Sequence, residues 1–323
     1  MTEADSTVPI VTLIGGSGFV GRYIAQAMAQ KGWRVRVACR RPNEALFVKP
    51  YGAVGQVEPI QCNIRDDASI ARVIQGATAV VNCVGILFES GKNKFDAIQA
   101  EGPGRVARLA KEAGVQRMVH ISAIGADKVS PAAYARTKAA GENAVLTSFP
   151  DAVILRPSIV FGPEDQFFNR FAAMTRLSPM LPVIGADTRF QPVWVQDVAE
   201  AAAKAITSNV APGIYELGGP NTYSFRELME LMLTVVRRKR LIVNIPFFAA
   251  KLQASFLQLL PNPPLTVDQV KLLGRDNVVE EGSKGFAELG LEPTAPEAII
   301  ESYLYAHRPY GQYTKLTEGG DGS

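Results

Sequence analysis

The chain is poor in the residues that build metal and thiol sites. Of its 323 residues only two are histidine, His120 and His307, and three are cysteine, Cys39, Cys62 and Cys83, with no CxxC pair among them. That leaves no metal site and no disulfide framework to propose. Net charge is also small. Thirty-four Lys and Arg against 31 Asp and Glu give +3, too little to point to nucleic acid or to strong capture of the whole surface by a membrane. The first residues, Met1 to Pro9, include Glu3 and Asp5, lack an apolar segment and lack the Arg/Ser bias of an organelle presequence. A bacterial cytoplasmic location is therefore expected.

What is present is a chain with 47% hydrophobic residues, enough to bury a substantial core as one large domain or two coupled ones. From residue 11 to 157 short apolar runs alternate with helical patterns, the signature of successive β-α units and of a parallel sheet. Strands are expected at Val11–Ile14, Arg34–Cys39, Val57–Cys62, Ala79–Cys83, Arg117–Ser122 and Ala152–Arg156, nearly continuous in apolar residues as buried parallel strands are. Helices are expected over Phe19–Lys31 and Phe95–Ala113, each followed by a glycine, Gly32 and Gly114, that suits a C-terminal cap. Right-handed crossovers then give a doubly wound α/β sheet.

Directly after the first strand stands Gly15-Gly16-Ser17-Gly18-Phe19-Val20-Gly21, which satisfies GxGxxG from Gly16 and GxxGxxG from Gly15. Glycines permit a tight strand-to-helix turn, let the backbone approach a pyrophosphate and let the helix pack closely on the sheet. An isolated match would be no more than a tight turn. Here strand, loop and helix agree, and dinucleotide binding by a Rossmann-type domain is the reading, with Gly15, Ser17, Gly18, Phe19 and Val20 at the phosphates. An acidic residue is absent where the second strand ends, at Cys39-Arg40-Arg41-Pro42. NAD-specific domains place Asp or Glu there for the ribose 2′-hydroxyl, whereas guanidinium groups suit the 2′-phosphate of NADPH. Arg40 and Arg41 are the candidates, Arg40 the better placed. The alternative is a solvated surface pair.

Tyr134-Ala135-Arg136-Thr137-Lys138 is a YxxxK arrangement whose i, i+4 spacing puts phenol and ammonium on one helix face. Lysine there would lower the phenol pKa and could hold the nicotinamide ribose. Ser122, ending the fifth strand, could hold a substrate carbonyl oxygen. These three residues, Ser122, Tyr134 and Lys138, are the catalytic candidates, and they also line the expected cofactor pocket. The bland alternative is an exposed Tyr beside a Lys. Cys83, Val84 and Gly85 close the fourth strand where backbone can pass the adenosine ribose. Pro157, Ser158 and Ile159 follow the sixth strand, where backbone often meets the carboxamide end of a dinucleotide. A plain turn explains either segment almost as well. His120 precedes Ser122 on an apolar strand and reads as a packed core residue without a role.

Beyond Pro157 the prolines at 163, 179, 182 and 192 punctuate an insertion near 158–192. Val198–Thr207 reads as a helix, and Ile214–Leu217 as a strand that rejoins the sheet before Gly218-Gly219-Pro220. The expected organisation is a tail over 1–9, a nucleotide-binding domain over 10–218, a smaller α-rich C-terminal domain over 219–312 and a disordered tail over 313–323. Within the C-terminal part, Ser224 suits the cap of a helix from Phe225, which runs to the basic stretch Arg237-Arg238-Lys239-Arg240. Leu241–Leu260 is strongly apolar but interrupted by Asn244, Pro246 and Lys251, so an interfacial or packed helix is expected rather than a membrane span.

GGSGFVG, CRRP, NCVG, HISA, YARTK and RPSIVFGPED together resemble the atypical or extended short-chain dehydrogenase/reductases. Residues 18–23, 111–115, 161–167 and 191–198, with 245–248, 265–270 and 289–294 further on, are similar to one family in particular. It is that of the NADPH-binding accessory subunit of respiratory complex I, the alpha-subcomplex subunit nine, and the likeness spans about residues 10 to 310. The resemblance implies a tightly held NADPH (NADP) of structural use, no established turnover and other complex I subunits near the quinone site as partners. It also implies peripheral contact with membrane lipid, no nucleic acid and no metal. The absent presequence fits a bacterial relative, which would sit at the cytoplasmic face of the inner membrane. The competing hypothesis is a free NADP-dependent reductase, or a nucleotide-sugar epimerase or dehydratase, working through Ser122, Tyr134 and Lys138.

Overall fold

A computed structural model describes residues 8–309. Most of the expected N-terminal tail, residues 1–7, and all of the expected disordered tail lie outside the described residues.

In chain order the first half runs β1 (Ile10–Ile14), α1 (Phe19–Gln30), β2 (Arg34–Cys39), β3 (Val57–Gln61), α2 (Asp67–Ile74) and β4 (Ala79–Asn82). Then come α3 (Glu101–Glu112), β5 (Arg117–Ile121), α4 (Ala133–Ser148) and β6 (Val153–Pro157). The second half adds β7 (Val160–Phe161), α5 (Phe168–Met174), β8 (Met180–Ile184), β9 (Arg189–Phe190), β10 (Val193–Trp194), α6 (Val195–Thr207) and β11 (Gly213–Leu217). It continues with β12 (Tyr223–Ser224), α7 (Phe225–Val235), β13 (Leu241–Ile245), α8 (Phe247–Leu257), α9 (Val267–Leu272), α10 (Pro296–Ile299) and α11 (Glu301–Leu304).

Seven strands form one parallel sheet in the order β11-β6-β5-β4-β1-β2-β3. The order reverses between β1 and β4, and such a switch point opens a crevice at the carboxyl ends of the strands. Strand residues are buried on both faces. Leu13, Val37, Val81 and Val119 meet α1 and α6, and Ile14, Val80 and Met118 meet the α2–α4 side, which is why these strands read as apolar runs rather than as alternations. Cys62, Cys83 and Ser122 stand one residue past the ends of their strands, at the crevice, rather than within them. Gly32 and Gly114 follow their helices at φ +82° and +72°, a backbone region that suits glycine. The expected helix over Phe95–Ala113 opens instead with a π-helical turn, Asp96–Ala100, ahead of α3.

The insertion and the C-terminal region share a second core. Phe161, Phe168, Leu181 and Phe190 from the first pack with Phe225, Met229, Met232, Ile300 and Leu304 from the second. β8 pairs in parallel with β13, and β9 antiparallel with β12. Ser224 caps α7 through a reciprocal box with Glu227, as its sequence suggests. The apolar run 241–260 is not one helix: Pro246, which cannot donate to a strand ladder or a helix interior, divides it into β13 and α8. Residues 277–294 return to the main sheet. Lys284 O accepts from Glu216 N at 2.8 Å, and Phe286 and Leu289 are buried beside Tyr215 and Leu217.

Candidate functional site

Gly15 leaves β1 at φ +82° with its N–H donated to Ala38 O at 2.8 Å; a Cβ there would lie 2.8 Å from Val84 Cγ2. Gly16 and Gly18 close the turn through bonds to Leu13 O and Gly15 O, at 3.1 and 3.0 Å. At Gly21 a Cβ would come within 2.6 Å of Gly15 O and 2.7 Å of Gly16 Cα, so glycine is what lets α1 close on the loop. Gly18 differs. It is the exposed N-cap of α1, makes no side-chain cap, and a Cβ on it would meet only Gly15 O at 3.2 Å. The first amides of α1, at Phe19 and Val20, thus have no side-chain cap and suit an anion. The cradle fits a nucleotide pyrophosphate.

At the end of β2, Arg41 pairs with Glu44 at 3.0 Å on the open surface, whereas Arg40 reaches only Asn93 Oδ1, at 3.5 Å. Arg40 makes no salt bridge to a carboxylate among the described residues. Its exposed guanidinium could take a phosphate. Across the crevice, buried Asn82 accepts from Val84 N at 3.2 Å and bonds His120 Nδ1 at 3.2 Å, fixing the Cys83-Val84-Gly85 exit from β4. Burial holds the Cys83 thiol up near 12 and pushes His120 down to about 3, so the imidazole is neutral. His120 is the core residue the sequence suggests, though its Nε2 is buried without a partner.

The catalytic candidates divide. Lys138 lies inside α4, almost fully buried, with Nζ donating to Ile121 O at 3.2 Å; burial lowers its pKa to about 8 despite the opposing pull of Glu142. A Cβ on Gly85 would come 3.4 Å from that nitrogen, so glycine keeps the approach to it open. Tyr134 stands one turn earlier, its ring edge-on to Phe95 and 5.9 Å from Lys138 Nζ. The expected lowering of the phenol pKa is not found, because burial dominates and pushes it up to about 12. Ser122 is engaged elsewhere. Its hydroxyl donates to Glu142 Oε1 at 2.5 Å, and Glu142 is held by Arg156 through Nε at 2.9 Å and Nη2 at 2.6 Å, with Glu216 on the far side of Arg156 at 3.3 Å. Ser122 is thus part of a buried ionic network rather than a partner of Tyr134.

Other residues of the site carried no local signal. Asn277 Oδ1 accepts from Ser158 Oγ at 2.7 Å and Ile159 N at 3.0 Å, so the donors of the turn after β6 are engaged by the C-terminal segment, while Pro157 O accepts from Ile124 N. Asp268, at the start of α9, accepts from the backbone N–H groups of Ala133 and Tyr134 at 2.7 and 2.9 Å and so caps α4. Gln99, in the π-helical turn, is buried between Ile86 N, 3.0 Å away, and Thr137 Oγ1, 3.3 Å away. No group of three or more potential metal ligands exists among the described residues.

Residues 11–218 match the model of the NAD dependent epimerase/dehydratase family. The chain is 33% identical to "NADH dehydrogenase [ubiquinone] 1 alpha subcomplex subunit 9, mitochondrial" of Arabidopsis thaliana, over 94% of this chain and 79% of the relative. It is 32% identical to the protein of the same name from Rattus norvegicus, over 93% and 81%. A ceramide reductase of Caulobacter vibrioides is 30% identical over 73% of this chain and 74% of its own length. Among solved structures, gox2253 superposes with a TM-score of 0.69 at 20% identity, covering 93% of this chain and 98% of that one. Bordetella bronchiseptica WbmG in complex with NAD gives 0.69 at 16%, covering 97% and 96%. These two show the fold. The chain is a member of the NAD dependent epimerase/dehydratase family and, within it, of the family of complex I alpha subcomplex subunit 9.

Proposed function

We propose that this protein is an NADPH-binding accessory subunit of bacterial respiratory complex I, with a structural rather than a catalytic role. The observation that carries this reading is a pairing: the nucleotide cradle is complete, yet the Ser122 hydroxyl proton is committed to Glu142 within a buried ionic network. Gly15, Ser17, Gly18, Phe19 and Val20 would hold the pyrophosphate, Arg40 the 2′-phosphate with Arg41 beside it, Cys83 to Gly85 the adenosine ribose and Lys138 the nicotinamide ribose. Pro157 to Ile159 would border the carboxamide end. When bound, the nucleotide could supply a hydride, but on this reading it adds folding free energy by mass action.

Residues 219–312 supply the dock. On α8 the small Ala250 and Ala254 face inward, while Phe248, Leu252 and Phe256, with Leu259 just beyond, are each more than 60% exposed. A helix that buries alanine and exposes phenylalanine and leucine has an apolar surface to place elsewhere. Lys251 on α8 and the exposed Arg237 and Lys239 nearby in the chain match an anionic lipid leaflet. No helix among the described residues is long and apolar enough to cross a membrane, and the proposed contact is peripheral. The protein would sit at the cytoplasmic face of the inner membrane, where the arms of the complex meet near the quinone site.

The test is purification of the tagged chain in mild detergent, with identification of what accompanies it and of the nucleotide released by acid. Complex I subunits together with NADPH or NADP are expected. An isolated chain carrying NAD would overturn the proposal. The second reading, a free reductase, is favoured by one observation, that Tyr134 and Lys138 still share a face of α4. NADPH oxidation by the isolated protein that is lost in Tyr134→Phe would establish it.

A further inference from the structure

The segment from α8 to Val279 is tied to the rest of the molecule in an unusual way. α8 and α9 share a small core of their own, Ala250, Ala254 and Val270, with Ile184 and Ile245 packed against it, separate from the three larger clusters. Beyond that core Leu273 packs on the second core, Thr188, Arg189 and Gln191 of the insertion bond Leu273 O, Asp276 and Val279 N, and a further set of polar ties falls on the rim of the nucleotide crevice. Asp268 caps α4 at Ala133 and Tyr134; Lys271 Nζ reaches Pro131 O at 3.2 Å; Arg275 pairs with Asp127 at 2.9 Å; Asn277 holds Ser158 and Ile159. One short helix therefore packs through Val270 under α8, the helix that carries the exposed apolar face, and through Asp268 holds the first turn of the Tyr134–Lys138 helix.

A unit whose own apolar core is only three buried residues, held otherwise mainly by polar ties, opens more readily than the sheet beneath it. A nucleotide whose nicotinamide ribose rests against Lys138 orders the same first turns of α4 that Asp268 holds. A lipid surface that takes up Phe248 and Leu252 orders α8, and α9 with it. Two ligands that each favour one ordered arrangement assist one another, and the assistance is equal in both directions. We propose that the α8–α9 hairpin couples nucleotide occupancy to lipid docking, so that each strengthens the other. The coupling rests on the nucleotide and lipid readings given above.

The experiment uses the full chain, NADPH and vesicles of phosphatidylglycerol and phosphatidylcholine. Partition onto vesicles is measured with and without saturating NADPH, and NADPH affinity with and without vesicles. Both ratios should be equal and about fivefold or more. In Asp268→Asn, which keeps the side-chain shape but loses the charge and one acceptor, both ratios should fall toward one, while vesicle binding without nucleotide stays as in the wild type. Lys271→Ala should lower the ratios in the same direction, and thermal melts of both variants identify any that fails to fold. Binding of both ligands with ratios of one in the wild-type chain would overturn the coupling and leave the functional reading standing. So would a loss of NADPH affinity in Asp268→Asn with the ratios preserved. Failure of the wild-type chain to bind NADPH or vesicles at all would overturn both.

Discussion

The hydroxyl of Ser122 donates to Glu142 Oε1 at 2.5 Å, and both side chains are buried. Ser122→Ala removes the donor and leaves a buried carboxylate with Arg156 alone, a loss of about 1–3 kcal/mol. The change should appear as a lower midpoint in urea, with NADPH affinity unchanged to within about twofold, a difference near 0.4 kcal/mol. A reactive serine would give the opposite result, with stability kept and turnover lost.

Gly18 and Gly21 separate nucleotide binding from folding. Gly18→Ala meets only Gly15 O at 3.2 Å within the protein, so the chain should melt near the wild type while NADPH binding, followed by its fluorescence, is weakened at least tenfold, about 1.4 kcal/mol. Gly21→Ala pushes a Cβ into backbone at 2.6 and 2.7 Å and should lower the melting temperature outright. Equal effects from the two variants would show that the loop is packing alone.

The two arginines after β2 should differ. Arg40→Ala should cost about tenfold in NADPH affinity and little in NADH affinity, since a charged hydrogen bond to the 2′-phosphate contributes about 1.5–3 kcal/mol before screening. Arg41→Ala should cost less, because that guanidinium already faces Glu44. Titration with both nucleotides at low salt checks this. Loss of NADH and NADPH binding alike in Arg40→Ala would indicate a structural role for the side chain.

Lys138 should mark the stability profile above neutral pH. Burial lowers its folded pKa to about 8, below the ordinary lysine value, so between the two the unfolded chain carries the extra proton. Stability then rises with pH across that window, by at most about 1.4 kcal/mol per pH unit from this group. Urea titrations at successive pH values should show the wild type gaining relative to Lys138→Gln above pH 8 and running parallel to it below. A parallel course throughout would place Lys138 at an ordinary pKa.

The sequence makes the nucleotide half legible because its signals are local. The run after Val11, the glycine spacing after Ile14 and the Ser224 box each depend on residues a few positions apart. The rest depends on contacts that spacing does not encode. Asp268 lies 135 residues from Ala133, and Asn277 lies 119 from Ser158. Nothing in HISA indicates that the Ser122 hydroxyl donates to Glu142. The run 241–260 misleads as a single helix because its apolar composition is uniform while its geometry changes at Pro246.

The return of residues 277–294 to the main sheet bears on how the chain matures on the ribosome. Tyr215 and Leu217 on the edge strand are covered by Phe286 and Leu289, so the sheet that holds the nucleotide is sealed only after some seventy further residues have been synthesised (Leu289 minus Leu217). Until then its β11 edge presents apolar side chains, a state open to misassociation and a substrate for chaperones. The glycine loop, by contrast, is complete once β4 has been made. Nucleotide can therefore engage a nascent chain whose far edge is still bare, and the strap that covers that edge is the one that carries Asn277, Phe286 and Leu289.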